Sequence, residues 1–233
     1  MSSGPDGTDP SRPRGGSASP PEGLLRFFDL EEKALREGRP SARVAAVVGP
    51  RALSVGVAVS DREGYLVRAR SEGLAVVRRG SGGTALLHLP GDLLWSVVLP
   101  RSDSRVGHDF VRGYERLGAA VVEVLRSVGL SASWAEPPGL SEEYCPLGSR
   151  GKVLLAESRV LGGAAQHATA GALLHHGAIA VEVDRPTLDR LFLWSGPSPA
   201  ARLGGLRELG VSAPVEELRA ALLRRLSEFV SAA

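Results

Sequence analysis

The segment CPLGSRGKVLLAESRVLGGAAQ, residues 145–166, is the most informative part of the chain. Within it, KVLLA and RVLGGAA are apolar runs separated only by Glu157 and Ser158, which is the spacing of a β-hairpin with a two-residue turn. The segment opens with Cys145, the only cysteine of the sequence. A free cysteine is most often a buried small hydrophobic residue, so residue type alone does not make Cys145 a nucleophile.

The regions around this hairpin predict further strands and three helices. Helical spacing of apolar residues predicts a first helix from Leu24 to about Gly38 and a long helix from Phe110 to Gly129. A C-terminal helix is predicted over residues 215–230, with Pro214 in its first turn and Ser212 as its cap. The predicted strands are VAAVV, ALSVGVAV, LAVVRR, TALLHL and LWSVVL before the long helix, the two hairpin strands, and HHGAIAVEVD after them.

The order of these elements predicts the fold class. Short strands, one long helix and then more strands, with residues 131–143 as a loop, indicate an α+β fold. We expect a mainly antiparallel central β-sheet flanked by helices that lie on one side of it. With 233 residues and 43% hydrophobic content, the chain is expected to form a single domain over residues 23–233. Residues 1–22 are rich in Gly, Pro and Ser and are predicted to be a disordered tail.

Composition excludes several classes of function. The 28 basic residues are interspersed with 26 acidic ones, so we expect no nucleic-acid partner. A single cysteine rules out an internal disulfide, and no apolar run approaches the roughly 20 residues that cross a bilayer. The N-terminus does not resemble a secretory signal, and the prediction is therefore a cytoplasmic protein without a membrane partner.

Two stretches could bind a ligand. RRGSGGTALLH, residues 78–88, places two arginines beside glycines, which allow close backbone approach and could hold a phosphate or carboxylate. An ordinary hairpin turn is the alternative interpretation. The small residues Gly162, Gly163, Ala164 and Ala165 could likewise either allow close packing or make room for a long, thin substrate.

The histidines give no metal site by spacing. His175 and His176 are adjacent on a predicted strand and therefore point to opposite faces, so they cannot both bind one metal ion from that strand. No other Cys/His spacing supports a metal ion, and His88 and His108 have no assigned role.

Taken together, these pieces resemble the lipoate-protein ligase and octanoyltransferase family, which has the catalytic fold of biotin/lipoate protein ligases. The resemblance rests on the order RRGSGGTALLH, DLLWSVVLP, a long helix, a cysteine, RVLGGAAQ and LLHHGAIAVEVD, with FFDLEEKAL and RALSVG upstream. It implies Cys145 as catalytic residue. The acyl-binding residues that it implies are Arg79, Ser81, Gly82, Gly83, Ala85, His88, Gly163, Ala165, Gln166, His176 and Gly177.

The chain departs from the family pattern at a lysine. Where that pattern reads Arg-Lys-(Ile/Val)-x-Gly-x-Ala-Gln, the chain has Val160 in place of the lysine expected to hold the acyl carbonyl. Lys152 is expected opposite Gly163 in the hairpin, three residues from Val160, so it is not a convincing substitute. Arg79 is the best remaining donor.

Two smaller departures lie near the expected site. Thr84 stands where many transferases have a basic residue, and Pro146, which has no N–H, stands where the cysteine-type enzymes often have Phe.

Cys145 lies fifteen residues before Val160, the spacing of the cysteine-type octanoyltransferases. The resemblance therefore implies an enzyme that moves an octanoyl or lipoyl group through a Cys145 thioester to the lysine of a lipoyl domain. It implies no permanently bound cofactor. The implied partners are an acyl carrier protein and lipoyl domains, such as those of the 2-oxoacid dehydrogenase acyltransferase subunit and the glycine cleavage H protein. A non-catalytic homologue that binds a lipoyl domain or a partner chain, and an ATP-dependent lipoate or biotin ligase, are the alternatives.

Overall fold

The computed structural model describes residues 19–105 and 110–232. The predicted disorder of the N-terminal tail concerns residues that lie mostly outside these ranges and stays a prediction. His108, to which no role was assigned, also lies outside the described residues. The first helix begins at Glu22, the last residue assigned to that tail. None of the helices in the described ranges is both long and apolar enough to span a membrane.

The structure has five α-helices and nine strands within the described residues. The helices are α1 (Glu22–Glu37), α2 (Gly64–Ser71), α3 (Phe110–Ser127), α4 (Arg185–Leu191) and α5 (Val215–Ser231). The strands are β1 (Ser41–Ala46), β2 (Ala52–Gly56), β3 (Ala75–Arg79), β4 (Ala85–His88), β5 (Leu93–Pro100), β6 (Ala132–Ala135), β7 (Lys152–Ala156), β8 (Arg159–Ala168) and β9 (Ala172–Ile179). Short 3₁₀ turns cover Cys145–Leu147 and Pro199–Arg202.

The main sheet confirms the predicted antiparallel architecture. Its six strands lie in the order β1-β5-β9-β8-β7-β6, and every neighbouring pair is antiparallel. The interior strand β5, which lies between β1 and β9, is buried along nearly its whole length. Trp95 and Leu99 on one face pack in the cluster formed with α3 and α5, whereas Leu94 on the other face packs with α1. The expectation that all helices lie on one side is therefore wrong, because a strand that is apolar on both faces needs a layer on each.

A second, three-stranded sheet carries part of the site. Its order is β3-β2-β4, with β2 parallel to β3 and antiparallel to β4. The parallel pair is connected by α2, which buries Tyr65, Leu66 and Ala69. α2 was not predicted from the sequence, because it is short and follows a stretch that favours a turn. Likewise, α4 was not predicted, and neither was β6, which lies inside the predicted loop 131–143.

The β7–β8 hairpin is confirmed, but its register differs from the prediction. Glu157 and Ser158 form the turn with φ of 48° and 64°. Leu155 pairs with Val160 and Leu154 with Gly162, so an extra residue is bulged out between them. This bulge pairs Lys152 with Ala164 instead of the expected Gly163.

Two element ends also differ from the prediction. β9 stops at Ile179, and Asp184, which was assigned to that strand, caps α4 by accepting a hydrogen bond from the Thr187 N–H at 3.0 Å. The N-cap of α5 is Pro214, without a side-chain cap, so the prediction of Ser212 as cap is wrong.

Candidate active site

Cys145 sits on a short 3₁₀ turn that is held against the edge of the three-stranded sheet. The Ala85 N–H donates to the Glu143 carbonyl at 3.0 Å, and Tyr144 forms a parallel bridge with Ala85. Tyr144 and Leu147 anchor the turn in the hydrophobic core on both sides of the cysteine. These contacts place the half-buried thiol beside the loop between β3 and β4.

That loop points hydrogen-bond donors at the sulfur. The Thr84 N–H lies 2.9 Å from Cys145 Sγ, and the Thr84 hydroxyl lies 3.5 Å from it. Arg79 Nη2 is also 3.5 Å from Sγ. A main-chain N–H and a guanidinium are the partners that support a thiolate at a reactive cysteine.

Arg79 is fixed by its other contacts. Its Nη1 donates to Ser54 Oγ at 3.0 Å, and its Nη2 donates to the carbonyls of Gly82 and Thr84 at 3.1 and 3.0 Å. With the side chain almost fully buried, little rotational freedom remains to be lost when a substrate binds.

Gly83 allows the loop to approach the sulfur. Its φ is +89°, and a Cβ at this position would lie 2.7 Å from Cys145 Sγ and 2.9 Å from Arg79 Nη2. Any side chain would therefore push against both the thiol and the guanidinium, in a backbone conformation that already favours glycine.

Tyrosines near the sulfur remain protonated at neutral pH. Burial, together with the negative charge of Cys145, raises the pKa of Tyr114 to about 12. Burial and the nearby acidic groups Glu63, Glu143 and Cys145 raise the pKa of Tyr65 to about 12. Neither phenol can serve as a base at neutral pH.

A cavity of about 240 Å³ opens beside Cys145. It is larger than the roughly 150 Å³ that holds a benzene molecule in an apolar protein core. Small residues of β8 and β9, including Gly163, Ala165 and Gly177, form part of its wall. The aromatic and aliphatic side chains that line it are Phe27, Phe28, Leu86, Leu94, Tyr114 and Val153.

Most of the predicted site residues meet in this cavity. Cys145 lines it together with Arg79, Gly82, Gly83, His88, Gly163, Ala165, Gln166, His176 and Gly177. Ser81 and Ala85 are buried behind its wall and are not among the lining residues. Phe27, Phe28 and Ser54 also line the cavity but were not predicted as site residues; the adjacent aromatic pair in the amphipathic first helix was the available signal for two of them.

The adjacent histidines do point to opposite faces, as predicted. His175 packs on Trp95 and Tyr114, with ring centroids 5.1 and 4.8 Å apart, whereas His176 Nδ1 reaches Glu31 on the other face. Burial lowers the pKa of His175 to about 3. In the described parts of the chain, no three or more His, Cys, Asp or Glu side chains are grouped so as to hold a metal ion.

His88 is also buried and neutral. Its Nε2 lies 2.7 Å from Ser54 Oγ, the hydroxyl that Arg79 contacts. Burial, with Arg79 and His176 nearby, lowers the pKa of His88 to about 3.

Val160, which stands at the position of the family lysine, does not line the cavity beside Cys145. Val160 is buried among Tyr144, Leu147 and Leu203 and lines a separate cavity of only about 30 Å³. Pro146 lies in the walls of both cavities, between Val160 and the larger space. The missing N–H of Pro146 does not deprive the sulfur of a main-chain hydrogen bond, because Thr84 donates one to Sγ.

The antiparallel sheet with its layers, and the cysteine beside an arginine-glycine loop, define a class of protein. The chain belongs to the lipoyl protein ligase A/B catalytic domain family, whose sequence profile matches residues 27–227.

Individual relatives differ in activity. Octanoyltransferase LipM from Geobacillus kaustophilus is 29% identical over 164 residues, which cover 66% of this chain and 59% of that protein. The match thus spans less than two thirds of that relative's own length.

Solved structures show the same fold. A crystal structure of lipoate-protein ligase A bound with ATP has a TM-score of 0.68 and 29% identity, covering 86% of this chain and 78% of that one. A bi-partite lipoate protein ligase from Thermoplasma acidophilum, described with its E2 lipoyl domain, has a TM-score of 0.68 and 25% identity, covering 89% and 79%.

Proposed function

We propose that the chain is a cysteine-dependent acyltransferase of protein lipoylation. It moves an octanoyl or lipoyl group from a carrier thioester or a lipoyl domain to the lysine of a lipoyl domain. The observation that carries the proposal is the convergence of the Thr84 N–H and the Arg79 guanidinium on Cys145 Sγ, at the wall of the 240 Å³ cavity.

The reaction takes two steps. The Cys145 thiolate attacks the carbonyl of the donor, which is a thioester on a carrier protein or a lysine amide on a lipoyl domain. The carrier thiol or the lysine amine leaves and takes up a proton, and an acyl-enzyme thioester forms. The lysine amine of the acceptor then attacks this thioester, loses a proton to form the amide and returns Cys145 as a thiolate. Main-chain N–H groups near Gly82 and Gly163 are expected to stabilise the oxyanion in both steps.

Arg79 supplies the cation that the family places at the lysine position. The chain contains only two lysines, Lys33 and Lys152. Lys33 lies on α1 in a 4.0 Å ion pair with Glu37. Lys152 lines the cavity, but its ammonium group is paired with the exposed Glu136. Arg79, by contrast, is buried and already in contact with Sγ.

A lipoyl domain as acceptor is supported by the Thermoplasma ligase, whose structure is described with its E2 lipoyl domain. An acyl carrier protein as donor, the glycine cleavage H protein as a further acceptor, a cytoplasmic location and the absence of a bound cofactor are parts of the same proposal.

Intact-protein mass spectrometry tests it. The purified chain and a Cys145→Ala variant are incubated with octanoyl carrier protein. We expect a gain of one octanoyl group that hydroxylamine removes and that is absent from the variant, followed by transfer to an added lipoyl domain.

Two results point to the alternatives. A folded chain without an adduct, beside an active family transferase, would contradict the proposal and favour a binding homologue, for which Val160 is the supporting observation. Release of pyrophosphate with ATP and lipoate or octanoate, unchanged in Cys145→Ala, would favour a ligase like the relative solved with ATP.

A further inference from the structure

Three buried polar residues from three separate elements form one line of hydrogen bonds. Glu31 lies on α1, Ser81 in the loop between β3 and β4, and His176 on β9. His176 Nδ1 is 3.0 and 2.9 Å from the two carboxylate oxygens of Glu31, and His176 Nε2 is 2.7 Å from Ser81 Oγ. Their exposed fractions are only 2%, 0% and 6% for Glu31, Ser81 and His176.

The partners indicate where the protons lie. A carboxylate only accepts hydrogen bonds, so His176 carries a proton on Nδ1 and donates it to Glu31. A hydroxyl can both donate and accept, so Ser81 Oγ pairs with Nε2 in either protonation state of the ring. Both ring nitrogens of His176 therefore have a hydrogen-bond partner.

The same order of groups activates serine nucleophiles in hydrolases, but here the serine cannot act as one. Ser81 is fully buried and does not line the cavity. Its neighbours do face the chemistry: Gly82 and Gly83 line the cavity, and the Thr84 N–H contacts Cys145.

The line of hydrogen bonds from Glu31 through His176 to Ser81 is one of several contacts that hold the short loop between β3 and β4. The Val57 N–H donates to the Ser81 carbonyl at 3.0 Å, and Arg79 donates to the Gly82 carbonyl at 3.1 Å. Both act on the main chain, whereas the hydroxyl of Ser81 is held through His176 and, beyond it, through α1.

We propose that Glu31 and His176 position the loop through Ser81, so that the Thr84 N–H stays in contact with the Cys145 sulfur. The proposal deepens the transferase function and rests on it for its importance in catalysis. The three side chains are positioning residues, because none of them touches the sulfur. If the line is broken, the loop can shift and the sulfur loses its closest donor.

The alkylation of Cys145 by iodoacetamide measures this effect, and it needs neither carrier protein nor lipoyl domain. A failure of the positioning proposal is therefore distinguishable from a failure of acyl transfer. Cys145 is the only cysteine, so the reaction reports on one site. Arg79, Tyr65, Tyr114 and Tyr144, which also surround the sulfur, stay unchanged in all variants.

Ser81→Ala is the primary variant, because it removes one oxygen without adding volume. We expect alkylation at pH 7 to slow about tenfold and the midpoint of its pH dependence to rise by about one unit, since a hydrogen bond to a charged group is worth roughly one to two units. His176→Leu should behave in the same way. His176→Gln keeps one donor and one acceptor and should remain within about threefold of the wild-type rate.

Asp29→Asn is the matched control, an exposed carboxylate on the same helix as Glu31, and should alkylate at the wild-type rate. Near-UV circular dichroism establishes that each variant is folded. A structural role alone would lower the melting temperature and leave the pH midpoint of the folded protein in place. Wild-type alkylation by folded Ser81→Ala and His176→Leu over the whole pH range would overturn the proposal.

Discussion

At the residue scale, Gly83 shows how closely the loop and the thiol are fitted together. Two constraints act on it: a φ of +89°, and a Cβ position only 2.7 Å from Cys145 Sγ. Gly73, after α2, shares the first constraint with a φ of +72° but has no atom within 4 Å of a built Cβ. The pair therefore separates backbone strain from crowding at the thiol.

We expect Gly83→Ala to slow formation of the acyl-enzyme by about a hundredfold, because displacement of a reacting group by about 1 Å has an effect of that size. Gly73→Ala should keep the wild-type transfer rate. Its unfolding free energy should fall by about 1 kcal/mol, the cost of a left-handed backbone that Gly83→Ala also carries. Single-turnover mass spectrometry and thermal unfolding check the two effects. Equal transfer rates in the two variants would show that the close contact at Sγ does not matter.

At this scale, individual residue types could be predicted from the sequence, whereas contacts between distant segments could not. Cys145 and Arg79 were predicted as site residues, and both line the cavity. The N–H of Thr84 was not predicted, because a main-chain donor has no signature of its own in a sequence. Thr84 and Cys145 are 61 positions apart, and only the folded structure shows that they meet.

At the element scale, the β7–β8 hairpin explains why one register was predicted and another is found. The two-residue turn was readable from Glu157 and Ser158, and it fixes the first pair of the ladder. The bulge three residues further on was not readable. Gly162 beside it serves the other neighbour of β8, since a Cβ there would lie 2.0 Å from the Ala178 carbonyl oxygen of β9. Short helices such as α2 were missed for a related reason, because one or two turns give too few repeats of the helical spacing.

The β7–β8 turn contains backbone strain that a substitution can relieve. Ser158 has a φ of 64°, where a non-glycine residue is strained. We expect Ser158→Gly to raise the unfolding free energy by about 0.5–1 kcal/mol, because relief of that strain exceeds the entropy cost of glycine. The melting temperature should rise by about 1–4 °C in a thermal scan.

The neighbouring turn position provides the control. Glu157→Gly relieves similar strain but removes the Glu157 carboxylate that accepts the Ser131 N–H at 2.8 Å, so it should stabilise less. Greater stabilisation by Glu157→Gly than by Ser158→Gly would contradict this account of the turn.

At the scale of the whole molecule, ionisable groups are buried in both of the layers that cover the main sheet. His88 and His175 have pKa values lowered to about 3 from 6.5, mainly by burial. Burial raises the pKa of Asp92 from 3.8 to about 7, against the N–H donors of Leu89 and Val181. The contribution of the two histidines to the unfolding free energy is therefore at its maximum above pH 6.5 and decreases as the pH falls. Asp92 gives stability that is complete below pH 3.8 and is lost as the pH rises through about 7.

These opposite signs predict the acid dependence of folding. Between pH 5 and 6 the unfolded chain binds about two more protons on the histidines, and the native chain binds about one more on Asp92. We expect the unfolding free energy to fall by about 1.4 kcal/mol from pH 6 to pH 5, the value of one net proton. Urea denaturation at a series of pH values measures it.

Asp92→Asn removes the proton that the native chain binds at this position. The decrease in unfolding free energy from pH 6 to pH 5 should therefore grow to about 2.7 kcal/mol. A free energy independent of pH in the wild type, or an unchanged slope in Asp92→Asn, would show that these buried groups do not control acid stability.

The solitary cysteine has a consequence for oxidation. A sulfur that is contacted by an N–H and a guanidinium and is half-exposed is also open to peroxide, which converts a thiolate to a sulfenic acid. Many redox-sensitive proteins resolve that acid with a neighbouring cysteine, but this chain has no second thiol. Recovery of an oxidised molecule therefore depends on a thiol from outside the chain, and without one the sulfur proceeds to irreversible sulfinic acid.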